Sequence, residues 1–314
     1  MRKAFPYFSA FLILAVLLSA ALPAHARPQA ASSSVPVTTV VTVLGPKYTP
    51  PPAIGKEDIS VYEEKEKRDV TSWIPAQGDK SDLMLAILID DASRTELGIQ
   101  LSDITAFVKE LPKSTRVGVF YANNGTVQAA SQFTPDHDAA AKALRMPLGS
   151  FGAYSSIYLS TMSLISGWPV VPNSRREILL ISDGIDRFRG DPFSPDVDST
   201  YQKAEQAGVI IHTLFATGVG RVARNLFRVN YGQSNLAEIA DKTGGESFFQ
   251  GTQTPIAFAP FLQQLDMVLR NQYFLTFTAG RSKKAKGELR PFRIKTEQKD
   301  VEISSADKVF VPEP

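Results

Sequence analysis

The sequence contains no cysteine. That removes disulfides, thiol catalysis, thiolate zinc sites and a lipidated amino-terminal cysteine together. Histidine is nearly as scarce, with three in 314 residues. Without a G-x-S-x-G elbow or an H-E-x-x-H pair, hydrolase chemistry has little to work with. An excess of charge of either sign is also missing: 34 Lys and Arg face 32 Asp and Glu, which leaves no footprint for nucleic acid. The glycine-bearing loops Gly149-Ser150-Phe151-Gly152 and Gly218-Val219-Gly220 lack the spacing that cradles a phosphate.

What is present begins with "MRKAFPYFSAFLILAVLLSAALPAHA", a basic start, an apolar stretch from Phe8 to Ala21 and a small-x-small site at Ala24-His25-Ala26. This reads as a secretory signal over residues 1–26, cut before Arg27, which places the mature protein in the periplasm or outside the cell. The alternative is an uncleaved membrane anchor, because the stretch approaches the roughly 20 residues that span a bilayer. A Ser-rich lead-in, 27–35, follows. "VPVTTVVTVLG" predicts an exposed-edge strand, and Ile59 to Glu63 and Asp69 to Ile74 predict two short strands about a charged turn. They form a β segment, 36–78.

From Asp82 strands and helices alternate, which predicts a doubly wound, mostly parallel sheet over 79–271. "LMLAILID" and "EILLISD" are buried strands that both empty into acid: Asp90 and Asp91 after the first, Asp183 after the second. "TRVGVFYANN" and "GTVQAASQF" form a strand pair about Asn123-Asn124-Gly125. The final segment, 272–314, is read as a hairpin of "NQYFLTFTAG" with "LRPFRIKT" and a solvated "RSKKAK" tip. Neither terminal segment can bury a face alone, so both should pack as one small β module made from the two chain ends.

In open α/β sheets the carboxyl ends of strands hold the ligand. Two carboxylates with several hydroxyls and no sulfur make an all-oxygen set that suits a hard divalent cation. Here the sequence resembles a known family. Asp91-Ala92-Ser93-Arg94-Thr95 resembles the D-x-S-x-S loop of von Willebrand factor type A domains, "GAYSSIYLS" their second loop and "LLISDG" their third. The stretches "IGKEDISVYEEKEKRDVTSW", "GQSNLAEIADKTGGESFFQG" and "FLQQLDMVLRNQYFLTF" are similar to exported bacterial VWFA-related proteins, so the resemblance spans roughly residues 36–300.

The resemblance implies a metal-ion-dependent adhesion site in which Asp91, Ser93, Thr95, Ser155 and Asp183 hold Mg²⁺ or Mn²⁺. Ser156 replaces Ser155 if the register slips by one. A protein ligand would supply an acidic side chain to the open position. The chain departs from the pattern at Arg94, whose guanidinium is able to pair with Asp90 or Asp91 and take the cation's place. Asp91 and Ser93 also suit a plainer role as helix caps.

"GVGRVARNLFRVNYGQSN" reads as a loop leaving a strand, with Arg221, Arg224, Phe227, Arg228 and Tyr231 forming a partner-contact lip or an ordinary solvated insertion. His137 is expected at a solvated helix start and His212 at the edge of the core. The combined expectation is an exported, non-enzymatic binding protein that engages a protein partner, contacts no nucleic acid, and meets a membrane only if the signal is uncleaved. A metal-free scaffold with a decayed site and a metal-assisted hydrolase are the alternatives.

Overall fold

A computed structural model describes residues 34–78, 82–169, 171, 174–191, 193–248, 250–282 and 284–313. The signal and most of the lead-in lie outside them. The chain begins with β1 (Ser34–Leu44), β2 (Ile59–Glu63), β3 (Glu66–Arg68) and β4 (Val70–Pro75). An α/β unit follows: β5 (Leu83–Asp90), α1 (Leu101–Glu110), β6 (Thr115–Asn123), β7 (Thr126–Thr134), α2 (His137–Lys142), α3 (Ile157–Ser166), β8 (Arg175–Ser182), α4 (Pro195–Ala207), β9 (Val209–Phe215), α5 (Leu226–Thr243), β10 (Ser247–Phe248) and α6 (Ala259–Arg270). The last strands are β11 (Gln272–Gly280), β12 (Glu288–Thr296), β13 (Glu302–Ser305) and β14 (Lys308–Val311).

The central sheet runs β10-β9-β8-β5-β6-β7, all parallel except β7. Every residue of β5 is buried, and the pleat divides it between two cores. Leu83, Leu85, Ile87 and Ile89 pack with α1 and α6, while Met84, Ala86 and Leu88 face α3, α4 and α5. The antiparallel β7 is reached through Asn124 and Gly125, whose φ values of 50° and 78° suit a type I′ turn. From β5 the chain moves to β6 on one side and later to β8 on the other. The crevice between the diverging loops is therefore the switch point of the sheet.

The two chain ends form a sandwich of sheets β13-β1-β11-β4 and β14-β12-β2-β3. Val41, Val61, Leu275, Phe277 and Val311 are completely buried between them. Phe277 stacks on Phe292 with ring centroids 5.2 Å apart. The shared β module is present, but its wiring differs from expectation in two ways. β11 and β12 do not pair; each alternates apolar residues toward the same core from opposite sheets, and the basic segment between them carries the chain across. β1 lies inside its sheet, because a late strand, β13, covers Val41 to Leu44.

Polar groups tie the two units together. His212 is fully buried and accepts the Glu246 N–H at Nδ1 (3.1 Å), so Nε2 carries the proton and donates to Glu177 (2.8 Å). Gln272 of β11 donates to the same carboxylate at 3.2 Å. Arg175 donates to the Leu269 carbonyl at 2.7 Å. His137 begins α2 as expected, with its ring 2.9 Å from the Thr115 carbonyl.

Near this junction Glu205, 3% exposed at the end of α4, titrates unusually. Burial pushes its carboxyl up to about 7 against the pull of Lys308. The folded state thus holds this proton more tightly than the unfolded chain. The group's contribution is most favourable below its ordinary value and is lost as pH rises through 7. Glu205→Gln should therefore stabilise the protein by about 1–2 kcal/mol at pH 8 and leave it unchanged near pH 4. Urea denaturation at the two pH values checks this, and an equal effect at both would refute it.

Candidate functional site

β5 delivers two carboxylates, and each is fully committed. Asp90, 4% exposed, accepts the Ala92 N–H at 2.9 Å and the Ser182 hydroxyl at 2.8 Å. Burial raises its pKa; Arg187 lowers it, and Asp183 raises it further. Asp91 is held in a fork by Arg145, with Nη1 to Oδ1 at 2.7 Å and Nη2 to Oδ2 at 2.9 Å. It also accepts the Leu148 N–H at 3.2 Å. The Arg145 guanidinium lies 3.7 Å over the Tyr121 ring, and the Tyr121 hydroxyl donates to the Arg145 carbonyl at 2.7 Å.

β8 delivers Asp183 to a second fork, Arg187 Nη1 to Oδ1 at 3.1 Å and Nη2 to Oδ2 at 2.6 Å. The Ile185 N–H adds a third bond at 3.0 Å. The side chains of this pair are 3% and 1% exposed. Burial would lower the Arg187 pKa, but Asp183, Asp90 and Asp186 together hold it above its ordinary value. The Gly218 backbone closes the pair from the side, for a Cβ there would fall on both the carboxylate and the guanidinium.

The remaining predicted residues gather around this pair unequally. Ser93 is completely buried, bridges to Gly218 across the crevice, and leaves its hydroxyl with no hydrogen-bond partner among the described residues. Ser155 meets the site through its carbonyl, which accepts the Arg187 N–H at 3.1 Å. Ser156 is instead the cap of α3 and accepts the Leu159 N–H. Thr95 is exposed and starts a short 3₁₀ turn whose cap position, Arg94, makes no side-chain cap; Asp91 and Ser93 do not cap it. Arg94 does not enter the acid pair, since its Nε donates to the Gly218 carbonyl at 3.2 Å.

The family resemblance implies a divalent ion here, and this donor set does not fit one. Both oxygens of Asp91 and of Asp183 are engaged by guanidinium forks, so each acid already has its counter-charge. Among the described residues no group of three or more His, Asp or Glu is arranged to hold a metal. Sequence reasoning missed both arginines. Arg187 had a local signal, four residues after Asp183; Arg145 had none, because it reaches Asp91 from a distant loop.

The same edge is unusually apolar on its outside. Of the large apolar side chains exposed among the described residues, all but Ile74 lie on loops at this edge or on the first turn of α5. Phe193, Leu226 and Phe227 are 68%, 62% and 57% exposed. The predicted lip is mostly helix: α5 starts at Leu226, capped by Asn225, so Phe227, Arg228 and Tyr231 lie on its first turns. Tyr231 packs on Phe227 and Phe193 with centroids 4.6 and 4.8 Å away. Arg228 donates to the Gly190 carbonyl at 2.6 Å, whereas Arg221 and Arg224 are exposed.

No protein-family model and no curated protein matches this chain. Among solved structures, an aerotolerance-related membrane protein from Bacteroides fragilis is similar, at 13% identity and a TM-score of 0.45, over 60% of this chain and 98% of that one. A von Willebrand factor type A protein from Catenulispora acidiphila is similar at 9% identity and a TM-score of 0.43, over 90% and 75%. Proximal thread matrix protein 1 from the mussel byssus, solved with a zinc-occupied adhesion-site motif, is similar at 11% identity and a TM-score of 0.42, over 61% and 46%. On its own strand order, with acidic loops leaving β5 and β8 at the switch point, this chain carries a doubly wound, mostly parallel α/β sheet.

Proposed function

We propose that the chain is an exported, non-enzymatic binding protein. Its loop edge engages a protein partner, and Arg145 and Arg187 stand where a divalent ion would otherwise balance the acids. The observation that carries this is the pair of guanidinium forks on Asp91 and Asp183. An internal cation fixes the loops without a metal and leaves recognition to the outer rim. There the exposed aromatics supply desolvated anchors and the exposed Arg221 and Arg224 favour acidic side chains on the partner.

A second reading has Mg²⁺ or Mn²⁺ displace Arg145 and bind Asp91, Ser93, Thr95, Ser155 and Asp183. One observation favours it, the buried Ser93 hydroxyl without a partner. Titration calorimetry separates the two. The first expects no saturable heat at millimolar Mg²⁺ or Mn²⁺ and an unchanged Tm in EDTA; divalent binding abolished by Asp183→Asn would establish the second. Replacing Arg221 and Arg224 together by Glu should cut partner capture from envelope extract about tenfold without moving Tm, since both side chains are exposed. Unchanged capture would remove the rim from the interface.

A further inference from the structure

A cavity of about 450 Å³ opens at the other end of the α/β unit, where the starts of β8 and β9 and the end of α4 meet β1, β11 and β14. Three independent features converge on it. The first is a strand edge. Val43 donates its N–H to the Asn271 carbonyl (2.9 Å), so the odd-numbered residues of β1 turn their main-chain groups toward β11 and the even-numbered ones turn away. β13 covers that other side only from Val41 to Leu44. Thr38, exposed and lining the cavity, therefore presents its N–H and C=O to the cavity side, where no described strand pairs with it. Pro36, which has no N–H to offer, ends this free stretch in the manner of a protected edge.

The second feature is a facing strand. Phe292 donates to the Asp307 carbonyl at 2.8 Å, and the same alternation turns the main chain of Phe310 away from β12 toward the cavity. The third is Glu205, nine-tenths or more buried, lining the cavity, with neither carboxylate oxygen in a hydrogen bond of good geometry. Its nearest donor is the Lys308 backbone N–H, and burial still outweighs that contact and the pull of Lys308 and Lys242, so a cationic donor set against the carboxylate relieves a cost that remains. Among the described residues no cation forms an ion pair with it: Arg176 is tied to the Ala207 carbonyl, Lys242 pairs with Asp307 at 2.7 Å, and the Lys308 side chain is only partly buried.

We propose that this cavity is a peptide groove in which an extended segment of a partner protein adds as a strand to the Thr38 edge of β1 and sets a Lys or Arg side chain against Glu205. A free edge is matched only by the alternating donors and acceptors of an extended main chain, and the apolar walls at Val40, Phe274 and Val209 receive its alternate side chains. The groove lies away from the loop edge, so it stands or falls independently of the metal-free reading above.

The test is an amide-resolved NMR titration of the full chain with acetyl-Val-Thr-Lys-Thr-Val-amide. Saturable shifts at Thr38 and Phe310 are expected. An analogue N-methylated at alternate nitrogens should lose binding. Glu205→Gln should weaken the lysine peptide about tenfold, to the level of the norleucine analogue. Thr38→Pro removes the edge donor and leaves the main-chain ladder to β11 intact, losing only the exposed Thr38–Thr276 hydroxyl bond, so it should abolish binding while Thr38→Val, which loses that hydroxyl but keeps the N–H, binds as the parent does. Absence of shifts at Thr38 at millimolar peptide, equal binding of the N-methylated analogue, equal binding by Glu205→Gln, or binding of n-butylamine as tight as the peptide would each overturn the proposal.

Discussion

Replacing Arg187 by alanine is expected to cost about 3–5 kcal/mol of stability, because it leaves Asp183 charged, buried and without its fork, beside the equally buried Asp90. The reverse deletion, Asp183→Ala, strands the guanidinium and should cost a comparable amount. Removing both charges in Arg187→Met with Asp183→Asn should recover most of the loss, since the penalty belongs to the unpaired charge and not to the missing pair. Arg187→Lys should rescue poorly, as an ammonium cannot span both carboxylate oxygens while also reaching the Val219 carbonyl. Urea denaturation of the four variants decides the matter. A loss below about 1 kcal/mol for Arg187→Ala would show that the pair does not hold the site.

The second large effect concerns Gly184, directly after Asp183. Its φ of +67° lies in the left-handed region, and a Cβ there would strike the Gly232 carbonyl group and Leu236 of α5. Gly184→Ala should therefore cost about 3 kcal/mol, combining the conformational penalty with overpacking. The contact is mutual, for a Cβ on Gly232 would strike the Asp183 carbonyl. The Tyr158 hydroxyl fixes the same turn by donating to the Gly184 carbonyl, and Asn235 donates to that hydroxyl at 3.1 Å. A Tm for Gly184→Ala matching the parent would mean that α5 is free to move away from the acidic loop.

Local signals carried most of the fold. The uninterrupted apolar runs of β5, β8 and β9 identify central strands, and Ser156, Asn225 and Asp136 cap helices where they stand. Errors arose where the deciding contact is remote. α5 starts at Leu226, inside the stretch "GVGRVARNLFRVNYGQSN" read as a loop, because its first turns rest on Phe193 and Gly190, which are distant in sequence and invisible to periodicity. The apparent β11–β12 hairpin fails because β1 and β4 take both edges of β11. In the site, the acids were legible from two strands ending in Asp. Their counter-ions were not, since Arg145 reaches Asp91 from another loop and Arg94, the nearer cation, is drawn to Gly218.

The antiparallel pairing of β1 with β11 sets Ser34 opposite Gly280, with the whole α/β unit between them. A ribosome therefore releases β1 before the α/β unit and its partner strand after it. While the α/β unit emerges and completes its own cores, Val37, Val41 and Val43 lack the Leu275, Phe277 and Ala279 side chains of β11 that complete their core. The sandwich is thus a clasp that shuts only when β11 and the strands after it arrive. A transcript cut short before β11 yields an α/β unit trailing a strand that lacks its partner, the kind of edge that proteases and chaperones recognise, so closure of the clasp reports that synthesis has passed β11.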